Sequence, residues 1–97
     1  MKIKWLEGAV VDLTALRVYI AQDNPSAAHR VALRILQSVE ALAEHPHLGR
    51  AGRVLHTREL IIPGTFYMVA YRVHGNIIEI LRVLHSAMQW PEGLTKQ

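Results

Sequence analysis

The sequence predicts an α+β domain with an N-terminal strand and an antiparallel helical hairpin packed on one face of a mainly antiparallel sheet. Between Glu7 and about Glu44, apolar residues recur at steps of three and four, which is typical of amphipathic helices. After Pro46 the pattern becomes that of extended strands, and the Gly75-Asn76 pair separates two apolar runs as a hairpin turn does. A chain of 97 residues suffices for one core, so we expect residues 1–97 to form a single domain.

The first half of the chain predicts a short strand and two helices. The strand is KIKW, residues 2–5, and a helix follows from Glu7 to about Gln22 without a good N-cap residue before it. Its apolar stripe consists of Ala9, Leu13, Leu16 and Ile20. Asn24 can cap a second helix and Pro25 suits its first position, so that helix should run to about Glu44 and pack against the first as a hairpin.

The second half predicts a loop, HPHLGRAGR, followed by three strands: HTRELII, FYMVAYRV and IIEILRVLH. Pairing counted outward from Gly75-Asn76 places Arg72 opposite Glu79, a favourable cross-strand charge pair. The same count puts apolar side chains on both faces of the sheet, and the helices can cover only one. We therefore expect a dimer mate or a bound partner segment to cover the other.

Composition and charge restrict the function classes. The chain has no cysteine, which excludes disulfides, thiolate metal ligands and a cysteine nucleophile and fits a reducing cytosol. Its start lacks the apolar stretch of a signal peptide and no stretch approaches a membrane span, so we expect a cytoplasmic protein. The net charge of +3 lies entirely in residues 50–97, where arginine dominates. This asymmetry indicates an acidic partner, either nucleic acid or an acidic protein segment, although a merely solubilising surface has the same composition.

Six stretches, in this order, resemble the RelE/ParE superfamily of bacterial type II toxins: AVVDLTALRVYI, NPSAA, EHPHLGRAGR, TREL, YMVAYRV and IIEILRVLHSAMQWP. The resemblance covers nearly the whole chain. It implies a plasmid-stabilisation type of toxin that arrests growth and is neutralised by a cognate antitoxin through an acidic, partly disordered segment. The toxin would then exist as a homodimer or as a hetero-oligomer with its antitoxin.

The resemblance implies two alternative mechanisms. A ribosome-dependent mRNA endonuclease needs an acid, a base and cations; His85 and His56 are the candidates for proton transfer, Arg58 and Arg82 for the cations, and Trp90 for stacking on a base. The ParE-like branch inhibits DNA gyrase by protein contact and has no catalytic residues. Met68 stands where RNA-cleaving relatives typically offer an arginine, so we expect the gyrase branch and no enzyme. A non-toxic RNA-binding module is a further alternative.

Each candidate also has a purely structural interpretation. Arg82 can pair with a carboxylate at the edge of the core, His85 can bond a backbone carbonyl, and Trp90 can pack the chain end onto the sheet. By strand alternation Arg82 and His85 lie on opposite faces unless a bulge intervenes. Arg50 and Arg53, each after a glycine, predict a turn with arginines that face an antitoxin. We expect no metal and no cofactor, because His45 and His47 lack a third ligand.

Overall fold

The computed structural model describes residues 1–86, which form an α+β domain with one mixed sheet. The elements in chain order are β1 (Lys2–Trp5), α1 (Glu7–Ala21), α2 (Pro25–Ala41), β2 (Arg50–Ala51), β3 (Arg58–Ile61), β4 (Tyr67–His74) and β5 (Ile77–His85). The strand order is β1-β5-β4-β3-β2, with β1 parallel to β5 and all other pairs antiparallel. The expected fold class is confirmed, and β2 is an addition, since two residues are too few to show an alternating pattern.

The two helices begin where the sequence indicates. Leu6 precedes α1 without a side-chain cap, whereas the Asn24 side chain accepts a hydrogen bond from the amide of Ala27 at 3.1 Å. The α2 helix ends at Ala41, about three residues earlier than expected, and the chain continues in turns to Glu44. Those turns bring the loop before β2 back over the sheet.

The main core lies between the helical hairpin and one face of the sheet. The helices contribute Ala9, Leu16, Ile35 and Val39, and the sheet contributes Leu60, Val69, Tyr71, Ile78, Ile80 and Val83, all buried. The predicted stripe of α1 does face this core, with Leu13 and Ile20 partly buried against it. Burying one such aliphatic side chain contributes about 1.5–3 kcal/mol, so this cluster is the main source of stability.

The β4–β5 hairpin has the predicted register near its turn and a different one further out. Arg72 pairs with Glu79, as the count from Gly75-Asn76 predicts. Tyr71 then pairs with Ile80 but Ala70 pairs with Arg82, so Leu81 is an extra residue in a β-bulge. A bulge shifts every later side chain by one position. Val83 therefore joins the main core and Leu84 the opposite face, whereas the count from Gly75-Asn76 without a bulge places Leu84 on the face of Val69 and Val83 on the face of Met68.

The middle of the second face of the sheet is covered by the chain itself. Val54, from the loop between β2 and β3, forms a buried cluster with Met68, Ala70 and Leu84, and Leu81 packs against it. Towards the turn, this face carries the exposed Arg72–Glu79 ion pair and the side chain of Ile77, which is 37% exposed. Phe66 on this face remains 73% exposed, so cover by a dimer mate or a partner segment stays a prediction. The sequence pattern did not predict the cover by Val54 because Val54 lies in a loop.

Candidate functional site

Arg82, a candidate for catalysis or binding, forms a bidentate ion pair with Asp12 of α1. Its Nε donates to one carboxylate oxygen at 2.6 Å and its Nη2 to the other at 2.9 Å. The hydrogen bond to Asp12 raises the pKa of the Arg82 guanidinium above its ordinary value. The structural interpretation of Arg82, a pairing with a carboxylate, matches this geometry.

Asp12 also bonds a backbone amide at the edge of the sheet. β1 ends at Trp5, opposite Ile80, so among residues 1–86 no strand lies beside the later part of β5 on that edge. The Asp12 carboxylate accepts the backbone amide of Val83 at 2.9 Å, which satisfies a donor that would otherwise face α1. Sequence reasoning missed Asp12 because its partner Arg82 lies 70 positions away in the chain.

The predicted binding residues Arg50 and Arg53 converge on one buried carboxylate. The Glu59 side chain is 2% exposed and accepts hydrogen bonds from the Arg50 guanidinium at 3.1 and 3.2 Å. Its other oxygen accepts the Arg53 amide at 3.1 Å and lies 3.5 Å from the Arg53 Nε. A carboxylate buried to this degree requires such partners, so both arginines have a structural role whatever else they contact.

Arg58 and Tyr71 hold the loop before β2 against the sheet. Arg58 Nη1 donates to the carbonyl oxygens of Gly49 at 2.8 Å and His47 at 3.4 Å. The Tyr71 hydroxyl donates to the Pro46 carbonyl at 2.8 Å and accepts the Gly49 amide at 2.9 Å. Burial raises the pKa of the Tyr71 hydroxyl, which keeps it protonated and able to donate.

The two candidate histidines occupy different places. His85 stacks on Phe66, with ring centroids 5.8 Å apart, and meets Tyr67 edge-on at 5.5 Å. It lines a surface cavity of about 450 Å³ between α1 and the end of the β4–β5 hairpin. His56 lies in the turn before β3 at φ 66°, and with Arg58 it lines a cavity of about 360 Å³.

The four nuclease candidates are therefore not brought together. His85 is paired with Tyr67 and Arg58 with Tyr71, four positions apart along β4, which corresponds to about 13 Å. Arg82 is paired with Ala70 and His85 with Tyr67. By strand alternation, Arg82 and His85 therefore belong to opposite faces of the sheet. Met68 is fully buried. Trp90 lies outside the described residues.

Among residues 1–86, no three His, Asp or Glu side chains lie close enough together to hold a metal ion. Neither of the two described helices has the length and hydropathy needed to cross a bilayer.

The structure reveals one feature that sequence reasoning missed, a groove between α2 and the outer edge of the sheet. It has a volume of about 480 Å³ and is lined mainly by apolar surface of α2, the loop and β3. Its residues include Ala41, Leu48, Leu60, Ile61 and Pro63. No pattern in the sequence predicts it, because its walls come from three separate parts of the chain.

Comparison with known proteins places these features in a family. The family model described as "ParE toxin of type II toxin-antitoxin system, parDE" matches residues 3–90. The chain is 43% identical to the putative toxin Y4kP of Sinorhizobium fredii, over 96% of both chains. It is 36% identical to toxin RelE2 of Caulobacter vibrioides, over 89% of this chain and 96% of that protein.

A solved structure agrees with the sequence comparisons. The structure titled "Chromosomal ParDE TA system from P. aeruginosa" contains a chain that matches with a TM-score of 0.78 at 28% identity, over 88% of this chain and 95% of that one. Relatives carry both RelE and ParE names, so the names do not distinguish the two mechanisms. The fold, the family model and the relatives agree that this chain belongs to the ParE toxin family of type II toxin-antitoxin systems.

Proposed function

We propose that this toxin arrests growth by inhibiting DNA gyrase through protein contact, without catalysing a reaction. The observation that carries the proposal is the state of the two arginines that RNA cleavage would need. Arg82 is bound by Asp12, and Arg58 by carbonyl oxygens of its own loop. Each arginine therefore has part of its donors engaged within the fold, and only its remaining N–H groups could contact the developing charge of a cleaved phosphodiester.

Proton transfer meets a second obstacle. An acid and a base must flank one phosphodiester within hydrogen-bond reach of the atoms they serve. His56 and His85 line two separate cavities. His85 is paired with Tyr67 of β4, whereas His56 lies in the turn before β3. The described residues therefore favour a surface that binds over a site that cleaves.

The mRNA endonuclease is the second candidate function, and one observation favours it. The cavity next to Val73 gathers His47, His56 and Arg58, two titratable groups and a cation. Such a set could bind a phosphate and transfer one proton. The RNA-binding module without toxicity is a third alternative that the basic second half of the chain allows.

We further propose that a cognate antitoxin neutralises the toxin with an acidic, partly disordered segment that orders on binding. Membership in the ParE toxin family supports the partner, and the excess of arginine in residues 50–97 supports its acidity. Both Arg50 and Arg53 remain accessible on the side away from Glu59, with 61% and 44% of their side chains exposed.

Induction of the chain alone in bacterial cells tests the mechanism. Primer extension would detect cuts in translated messages, and recovered plasmid would be examined for gyrase-linked double-strand breaks. DNA breaks with intact messages are the expected result, as is loss of gyrase supercoiling activity when the purified chain is added in vitro. Codon-phased cuts with intact DNA would support the endonuclease instead, and growth without any lesion would support the RNA-binding module.

A further inference from the structure

A cavity beside the end of β4, which we call the histidine cavity, gathers groups that can carry positive charge. It has a volume of about 360 Å³, and His47, His56 and Arg58 line it. The rest of its wall comes from Ala51, Thr57 and Val73. Among the described residues, no Asp or Glu lines this cavity. It therefore brings together cationic groups without a carboxylate to neutralise them.

Arg58 supplies a cation whose position is fixed and whose donors are only partly used. Its Nη1 donates to the carbonyl oxygens of Gly49 at 2.8 Å and His47 at 3.4 Å, which holds the guanidinium in the wall of the cavity. Within residues 1–86, Arg58 forms no ion pair, and its Nε and Nη2 donate to no other residue. A guanidinium has five N–H donors, so several of them are left for an anion.

The two imidazoles of the cavity are also unused by the fold. Both His47 and His56 are exposed, and within residues 1–86 neither side chain forms a hydrogen bond, an ion pair or a ring contact. Histidine is the side chain that changes its charge between about pH 5 and about pH 8, and the protonated imidazole donates from both ring nitrogens. The histidines can therefore add two cationic donors to Arg58 when the pH falls.

A hydrogen-bonded turn holds His56 in its place. The hydroxyl and the amide of Thr57 both donate to the Val54 carbonyl, at 2.6 and 3.1 Å, and the Gly52 amide donates to the Thr57 carbonyl at 2.8 Å. His56 itself has a left-handed backbone conformation, with φ 66°, inside this turn. Because the turn is fixed at both ends, little backbone freedom is lost when a ligand contacts His56 and Arg58 together.

The carboxylates on the neighbouring strands are engaged elsewhere. Glu59 is buried and bound by two arginines, and Glu79 is paired with Arg72. Several other charged or titratable residues lie on the elements around the cavity without lining it: Glu44, His45, Arg50, Arg53 and His74. Within residues 1–86, the cations of the cavity therefore have no counter-ion of their own, and an external anion would complement them.

We propose that the histidine cavity binds a tetrahedral oxyanion of the phosphate class, held by Arg58 at every pH and more tightly when His47 and His56 are protonated. The planar guanidinium suits two oxygens of one phosphate. The volume lies within the range of about 300–1,000 Å³ that is usual for small-molecule sites, and Val73 adds an apolar wall beside the cations. The inference goes beyond gyrase inhibition and does not depend on it, and binding requires no cleavage of the ligand.

Titration of the purified full-length chain with sulfate tests the proposal. Sulfate remains a dianion throughout the range, so any pH dependence of its binding comes from the protein. We expect NMR signals of His47, His56 and Arg58 to shift with a Kd of about 1 mM or lower at about pH 5.5, and binding to be at least about 10-fold weaker at about pH 8. Chloride at the same ionic strength is the control and should not cause these shifts. Sulfate without a local effect at these three residues would overturn the proposal.

Matched histidine variants show whether the cavity or the general charge of the chain binds sulfate. His47→Asn and His56→Asn remove a titratable group, and asparagine tolerates the left-handed backbone at position 56. His45→Asn and His74→Asn make the same change at exposed histidines that do not line the cavity. We expect each of the first two to weaken binding at about pH 5.5 by about 3-fold, and the double variant to lose the pH dependence. The two controls should bind as the unaltered chain does, and equal losses in all four variants would overturn the proposal. Arg58 is left unaltered because it also holds the loop.

Two further probes distinguish the sources of the phosphate. Adenosine 5′-monophosphate carries a terminal phosphate, and an RNA oligonucleotide without terminal phosphates carries only those of its chain. Displacement of sulfate by the mononucleotide alone would support a site for free or terminal phosphate, and displacement by both would extend the site to nucleic-acid chains. Displacement by neither would overturn the phosphate assignment. A chain that binds sulfate in this way but leaves gyrase unaffected would contradict only the proposed mechanism.

Discussion

Asp12 and Arg82, 70 positions apart in the chain, are joined by hydrogen bonds of 2.6 and 2.9 Å, and the same carboxylate accepts the Val83 amide at 2.9 Å. One side chain of α1 thus neutralises a cation in an apolar strand and accepts a hydrogen bond from a backbone amide at the edge of that strand. This arrangement ties the first helix to the last described strand.

Asp12→Ala should lower the free energy of unfolding by about 1–3 kcal/mol, because it leaves the partly buried Arg82 guanidinium and the Val83 amide without their acceptor. Urea denaturation measures the change. Arg72→Ala is the control, because it breaks an exposed ion pair, which contributes little to stability. Equal losses in the two variants would contradict the structural role of Asp12.

Tyr71→Phe should lower the free energy of unfolding by about 1–3 kcal/mol, since the buried Gly49 amide loses its acceptor and the Pro46 carbonyl loses its donor. Exchange of the Gly49 amide should also become faster, because the loop is no longer held. Tyr19→Phe, which alters a 71% exposed residue, serves as the control. Unchanged exchange at Gly49 would show that Arg58 alone holds the loop.

His56 should tolerate glycine better than valine, because its φ of 66° lies in the left-handed region. We expect His56→Val to lower the free energy of unfolding by more than about 1 kcal/mol and His56→Gly to leave it within about 1 kcal/mol. Thermal unfolding measures both. Leu55→Val, at the exposed neighbouring position, should have little effect, and a matching loss there would indicate that valine is harmful throughout this turn.

Glu79 should show a pH dependence set by Arg72. The hydrogen bond from Arg72 lowers the pKa of Glu79 below its ordinary value of 4.5. The ion pair therefore stabilises the fold above that ordinary value, and the contribution is lost as pH falls through the lower pKa of the folded state. An NMR titration of Glu79 should give a higher pKa in Arg72→Met and a much smaller change in Lys4→Met, since Lys4 is a weaker contributor. A Glu79 pKa unaffected by Arg72→Met would exclude the pair in solution.

His85→Ala and His56→Ala should each retain growth arrest, because the proposed mechanism uses no proton transfer. Removing a general acid or base from a nuclease would lower its rate about 10²–10⁴-fold. Growth curves after induction, with antibody detection of the chain as a control for its level, measure the effect. Loss of growth arrest in either variant, at normal levels of the chain, would favour the endonuclease. If the variant is His56→Ala, the cavity that His56 shares with Arg58 would be the candidate catalytic site.

Much of the fold could be predicted because its signals are local. Asn24 and Pro25 start a helix through contacts within one turn, and Gly75-Asn76 sets the first pairs of the β4–β5 hairpin, including Arg72 with Glu79. The order of these elements sufficed for the family resemblance that the comparisons confirmed. The contacts of the candidate site residues were less predictable, since the partners of Arg82 and Arg50 are not their neighbours in the chain.

The sequence by itself determined the helices and the hairpin register near its turn, which depend on neighbouring residues. It also determined the toxin family, through six stretches that cover nearly the whole chain. Only the tertiary structure decided that Asp12 binds Arg82, that Glu59 engages Arg50, and that Leu81 bulges. The physical reason is that a partner for a buried charge is chosen by proximity in space, and a single extra residue in a strand reverses every later side chain. Neither effect leaves a periodic signal in the sequence.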